Sequence, residues 1–336
     1  MEILEKKRVD EMVCGMFKNK SYFGKRSSVL KSGVCKYFRR EEFDKYEWCV
    51  IEMFIFGLKN KGLMTNIENR LKILIFEEIV VGEMNKVLKL IEIINELKNI
   101  SDWKKKINKV LNFIEISKKC KRGRICSYVN SWWKYHIIIY NYEKIKLNKV
   151  NKFKQKEDSI RLLKLGELLI KFIDKRSFKM VDIFNKMFYI KKCGRRYKRN
   201  DGIYLFWEII EDKFKNNTKF INIINYSRIS FYKKNLIERR YYGIWIILFI
   251  VNYEKINWNE EYNYNNINFN LNDYFKNRNN IQIDEYVIND YHVNKKHGLY
   301  KFAIEGAKVM NENCENLEFA EKYKNFYIKM KKRENK

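Results

Sequence analysis

Apolar residues recur at three- and four-residue spacing through almost all of this sequence, and none of its 336 residues is proline. That period is the mark of an amphipathic helix, because it lines up side chains along one face of a 3.6-residue turn. The missing prolines remove helix breakers, but they also remove a boundary signal. The spacing predicts helices over Glu2–Phe17, Glu42–Phe56, Asn66–Val80, Glu83–Lys98, Trp103–Ser117 and Ser127–Tyr142. Further helices are predicted over Ser159–Asp174, Lys179–Ile190, Gly202–Lys215, Ser230–Val251, Tyr300–Asn311 and Leu317–Lys331. No run of alternating strands with turn signals appears, so the predicted fold class is all-α.

Residues 1–256 read as one multi-helical, collar-like domain, followed by an Asn-rich stretch at 257–282. That stretch, "NWNEEYNYNNINFNLNDYFKNRNNIQ", suits a loop or insertion, and its Asn/aromatic alternation also suits a short strand pair. Residues 283–336 read as a C-terminal helical segment on the same domain. The longest apolar run, "YYGIWIILFIVNY" at Tyr241–Tyr253, falls short of the roughly 20 residues that span a bilayer. It is expected to be a buried helix or strand, and no membrane partner is expected.

Seventy Lys and Arg stand against 41 Asp and Glu, a formal charge of +29. A surplus of that size points to a polyanionic partner, most simply nucleic acid. A very AT-rich coding sequence would also raise Lys, Asn, Ile, Tyr and Phe, so composition competes with function as the source of the charge. Two runs concentrate the cations: Lys118, Lys119, Lys121, Arg122 and Arg124, and then Lys191, Lys192, Arg195, Arg196, Lys198 and Arg199. Both read as basic loops, with Gly123 and Gly194, that would neutralise phosphates and release counterions. Lys104–Lys106 and the group Lys233, Lys234, Arg239 and Arg240 add two smaller clusters. Tyr197, Trp132 and Trp133 lie beside the loops as candidate base-stacking residues, although tandem tryptophans are more often core.

Signatures of catalysis are weak. The nearest approach to a phosphate-gripping loop is "FGKRSS" at Phe23–Ser28, but Asn19 stands where the first glycine belongs. Cys120 and Cys126 lack a second ligand pair at zinc-like spacing. Asp290, His292 and Glu305 supply an alternative, a metal-dependent enzyme acting on nucleic acid. The expectation is nonetheless no cofactor and no resident metal. Seven unpaired-looking cysteines and a charged N-terminal segment favour reduced thiols inside a cell, in cytoplasm, nucleus or a viral replication site.

Within "TNIENRLKILIFEEIVVGE", Thr65 and Glu68 have capping-box spacing and Gly82 suits the end. Arg70, Ile73, Leu74 and Glu77 then share one face. Arg70 and Glu77 are two turns apart, roughly 10 Å, so each is expected to meet a partner on another helix or subunit.

The pattern R-L-x-I-x-x-x-E-E-I resembles the "RRL…EDIG" helix in the C-terminal region of clamp-loader-like AAA+ replication and recombination ATPases (the bacterial MgsA/RarA and eukaryotic Werner-interacting group). Upstream, "VCKYFRREEFDKYEWCVIEM" resembles that family's K-x-x-R-R-G-(D/E) pattern, with Lys36, Arg39, Arg40, Glu41 and Trp48 as matching positions. Farther on, "LGELLIKFIDKRSFKMVDIFNKM" is similar to the family's helix–PKS–helix, without its proline. "IDEYVINDYHVNKKHGLYKFAIEGAKVMNE" looks like an ending found in related phage and viral proteins. There Asp290, His292, Gly298, Phe302, Glu305, Gly306, Ala307, Asn311 and Glu312 correspond, while Val293 replaces a threonine.

The resemblance implies a helical C-terminal module without its ATPase domain, which in the family assembles a ring or tetramer. It implies an assembly role for Arg39, Arg40, Arg70, Glu77, Glu78, Asp290, His292 and Gly306. The expected function is a non-catalytic accessory module of DNA replication or recombination, forming homo-oligomers or joining a clamp-loader-like ATPase. A structural viral protein that packages nucleic acid is the other alternative.

Overall fold

The structure is a computed structural model that describes residues 20–58, 61–79, 84–133, 144–190, 202–233, 236–258, 267, 281–288, 308–312 and 320–333. Among these residues there are thirteen α-helices and no strand, only the isolated bridges Lys20 to Arg26 and Ile79 to Arg122. The chain is all-α.

It divides into two compact units. The first comprises Met1–Arg124, Glu260–Cys314 and Tyr327–Lys336, and the second Ile125–Asn259 and Glu315–Phe326. The first holds α1 (Ser27–Arg39), α2 (Phe43–Gly57), α3 (Lys61–Glu78), α4 (Met84–Leu97), α5 (Trp103–Lys118) and the short α12 (Glu285–Ile288). The second holds α6 (Ile125–Trp133), α7 (Ile160–Asp174), α8 (Met180–Phe188), α9 (Ile203–Phe214), α10 (Thr218–Lys233) and α11 (Leu236–Val251). The last helix, α13 (Ala320–Arg333), has residues in both.

In the first unit α2 is buried almost all round, from Trp48 to Gly57. A helix apolar on every side belongs at the centre of a core. α1 lies against it at close range: a Cβ on Gly33 would stand 2.6 Å from Cys49 Sγ. The amide of Lys105 donates to Asp102 Oδ1 at 2.9 Å and starts α5, as an N-cap carboxylate does.

In the second unit α11 carries the long apolar run, and Tyr242 to Ile250 are buried throughout. The run is a core helix. Gly243 sits under the Phe184 ring, whose Cζ would be 2.0 Å from an added Cβ. Phe184 itself is wedged against Phe206 and Trp133, with ring centroids 4.7 and 5.5 Å away, so it has no room to retreat. Gly243→Ala is therefore expected to cost about 2 kcal/mol through overpacking, read as a lowered urea midpoint for the second unit.

The structure departs from the sequence expectation at several helix boundaries. α3 begins at Lys61, so Thr65 lies within the helix and does not cap it. Ser230–Lys233 belongs to α10 and Leu236–Val251 to α11, and residues 234 and 235 lie outside the described residues. Lys118 is the last residue of α5, and α6 already begins at Ile125. Glu2–Phe17, residues 300–307 and residues 259–266 and 268–280 of the Asn-rich stretch lie outside the described residues; Asn257, Trp258, Ile267, Ile281, Gln282 and residues 308–311 are described and are not helical.

Candidate functional site

Several residues singled out in the sequence converge in the first unit as a buried charge network. Arg39, at the end of α1, grips Glu78 at the end of α3 with two prongs: Nε donates to Oε2 at 2.7 Å and Nη2 donates to Oε1. Arg124 Nε stands 3.9 Å from Glu78 Oε2, and its Nη2 lies 3.5 Å from Glu77 Oε1. Glu78 is 1% exposed and Arg39 6%, so water does little to screen either charge. Burial and the nearby Arg124 charge work against the Arg39 guanidinium. The Glu78 carboxylate and its hydrogen bonds outweigh them and hold Arg39 above its ordinary value.

The 120–124 stretch is stitched to the same place. The amide of Gly123 donates to the Glu78 carbonyl at 3.0 Å, and the Arg124 amide donates to Glu312 Oε1 at 3.1 Å. Arg122, also buried, donates to Glu41 Oε1 and to the Cys120 carbonyl. Its guanidinium lies 5.5 Å from the Phe43 ring centroid. Glu41 turns the chain from α1 into α2 at φ 61°. The amides of Glu41 and Glu42 donate back to Phe38 and Tyr37, the double bond that closes a helix and that usually has glycine at this position. A glutamate costs about 1 kcal/mol more in this conformation, and here its carboxylate takes both Arg122 and the side-chain amide of Asn311.

Arg40 lies 3.9 Å over the ring of Tyr286. That residue docks residues 284–287 on α1 and the start of α2: its hydroxyl donates to Glu42 at 2.5 Å, and Lys45 pairs with Asp284 at 2.7 Å. Arg70 Nη1 is 3.5 Å from Cys35 Sγ. Burial pushes the Cys35 thiol up, against the pull of Arg70.

The candidate phosphate loop is tied at its start to a carboxylate, not left open for an anion. The amide of Phe23 donates at 3.2 Å to Glu52, a fully buried carboxylate on α2. Gly24 makes the turn at φ 75°. Burial raises Glu52 to about 7, against the lowering effect of the Phe23, Ser21 and Tyr22 hydrogen bonds.

The proposed phosphate-holding residues thus part company. Arg122 and Arg124 are buried with carboxylates, and Lys118 pairs with Glu47 and Glu115 at 2.7 and 2.6 Å. Lys119 and Lys121 are exposed. Lys191, Lys192, Arg195, Arg196, Lys198, Arg199, Tyr197, Asp290, His292 and Gly306 lie outside the described residues. Trp133 is buried under Arg240, and Trp132 meets Tyr323 and Phe326 edge-on. Arg239 is buried beside Phe231.

A different lysine face emerges in the second unit. In "KIKLNKVNKFKQK", residues 144–156, all six lysines are exposed. A 3-10 turn, Lys149–Phe153, holds the middle of the segment. The amides of Asn148, Lys149 and Val150 all donate to the Glu167 carboxylate, at 3.0, 3.3 and 2.9 Å. Val150 is fully buried and fills the space beside Gly166, where a Cβ would be 2.6 Å from Val150 Cγ2. Lys149 pairs with Asp174 at 2.9 Å, and Lys152 pairs with Asp212. Burial opposes the Asp174 charge, yet hydrogen bonds from Lys213 and Lys149 hold its carboxyl below the ordinary value. Lys144, Lys146, Lys154 and Lys156 make no ion pair among the described residues. The sequence signal was present but dilute: no nine-residue window in 144–156 holds more than four cations.

Among the described residues no helix is long and apolar enough to cross a membrane, and no three His, Cys, Asp or Glu side chains gather as metal ligands. No family model, curated protein or solved structure matches the chain.

Proposed function

We propose that this chain is a non-catalytic accessory module of DNA replication or recombination, which joins a helical assembly or a clamp-loader-like ATPase and contacts nucleic acid through surface lysines. The observation that carries the reading is the meeting of two separately recognised patterns. Arg39 of the R-R pattern and Glu77 and Glu78 of the R-L…E-E-I pattern lie 38 and 39 positions apart in sequence and share one buried network. Position 41, where the R-R-G pattern has its glycine, is also where the chain adopts φ 61°.

The network supports the nucleic-acid part as well. Its arginines are matched by carboxylates inside the unit, whereas Lys119, Lys121 and the six lysines of 144–156 are exposed. Surface lysines hold phosphates as point charges and carry no base readout.

The test is a titration of a fluorescent DNA oligonucleotide with the full chain at two salt concentrations. Binding is expected to weaken more than tenfold between about 50 and 200 mM salt. No binding at the lower salt would remove nucleic acid from the reading. Metal-dependent cleavage of the oligonucleotide by the purified chain would remove "non-catalytic" and favour an enzyme.

A further inference from the structure

We propose that the pinned segment Lys144–Lys156 of the second unit is a phosphodiester-backbone contact, used without base recognition. The inference rests on the nucleic-acid part of the proposed function and gives it a place. Residues 144–175 carry ten Lys and Arg against four Asp and Glu. Three of those four are already engaged locally: Glu167 by three amides, Asp158 by the amide of Gln155, and Asp174 by two lysines.

The segment is built to hold its shape. A half-buried carboxylate that accepts three backbone amides, the buried Val150 plug and two ion pairs fix its centre. Lys144 and Lys146 project before that anchor, and Lys154 and Lys156 after it, all exposed. Cations presented at intervals along a fixed chain suit the repeating charge of a nucleic-acid backbone. The one aromatic residue in the segment, Phe153, is half-buried with the Lys152 ammonium 4.9 Å from its ring centroid. The ammonium competes with a base for that ring and the segment has no other aromatic residue, so the contact is sequence-independent.

Anisotropy titrations with a labelled duplex test the proposal on the full chain. Replacing Lys144, Lys146, Lys154 and Lys156 together by glutamine is expected to weaken binding at least about tenfold and to flatten the slope of log K against log salt by about 3. The matching set in the first unit, Lys20, Lys98, Lys308 and Lys329 to glutamine, removes the same charge from other exposed sites and is expected to change affinity much less. Arginine at the four positions should restore binding, which excludes a folding defect.

Glu167→Ala separates a built surface from diffuse charge. It adds one net positive charge, so simple electrostatics demands tighter binding, whereas loss of the anchor is expected to weaken it. Two unrelated duplex sequences should bind alike. Equal losses from both glutamine sets, tighter binding by Glu167→Ala, or a strong sequence preference would each overturn the assignment. The wild-type salt-dependent binding would stand in any of these cases. Absence of wild-type binding fails the parent reading instead.

Discussion

Glu78→Ala is expected to destabilise the first unit by about 3–5 kcal/mol, the cost of stranding a buried charge. The residue is 1% exposed and serves two guanidinium groups, so its removal leaves Arg39 without its two-pronged partner and Arg124 with Glu77 at 3.5 Å. Folded domains are stable by only about 5–15 kcal/mol, so the loss should be visible as a large drop in urea midpoint. The double change Arg39→Met, Glu78→Leu should recover part of it, because apolar side chains of similar volume need no counter-charge. A Glu78→Ala midpoint within experimental error of wild type would show that the network does not hold the unit together.

Glu52 imposes a pH dependence of comparable size and of unusual sign. Its carboxyl is raised by burial from 4.5 to about 7. A folded value above the unfolded one means that the folded unit prefers the protonated form. Stability from this group is complete below pH 4.5 and declines as pH rises through about 7. At about 1.4 kcal/mol per tenfold in the protonation constant, the decline amounts to about 3 kcal/mol. Glu52→Gln should flatten the profile of unfolding free energy between pH 5 and 8. Its absolute stability is a poorer readout, because Oε2 has no hydrogen-bond partner among the described residues and an amide there would bury unmatched donors. A variant with the wild-type slope would show that another group sets it.

The periodic helices were readable because their spacing is local: Trp103–Ser117 was expected, and α5 runs Trp103–Lys118. α1 was not, since "SSVLKSGVCKYFR" contains Gly33 and three serines that weaken helix propensity. It exists because Leu30, Val34, Tyr37 and Phe38 are buried in the core, and tertiary packing overrides local preference. The site was harder still. Arg39, Glu78 and Arg124 were each conspicuous, but a cation in a basic run looks the same whether it faces water or a carboxylate 46 positions away. The lysines of 144–156 show the converse. Their spacing was too open to stand out until Glu167 and Val150 fixed which atoms face inward.

Four thiols described as buried, Cys35, Cys49, Cys120 and Cys126, divide unequally: three lie in the first unit and one in the second. A thiol-reactive dye reaches such a sulfur when the surrounding helices open, and burial also keeps Cys35 and Cys49 in the unreactive protonated form. Labelling kinetics resolved by peptide mapping would therefore time the opening of each unit separately. The wild-type chain carries its own two-channel clock of local unfolding.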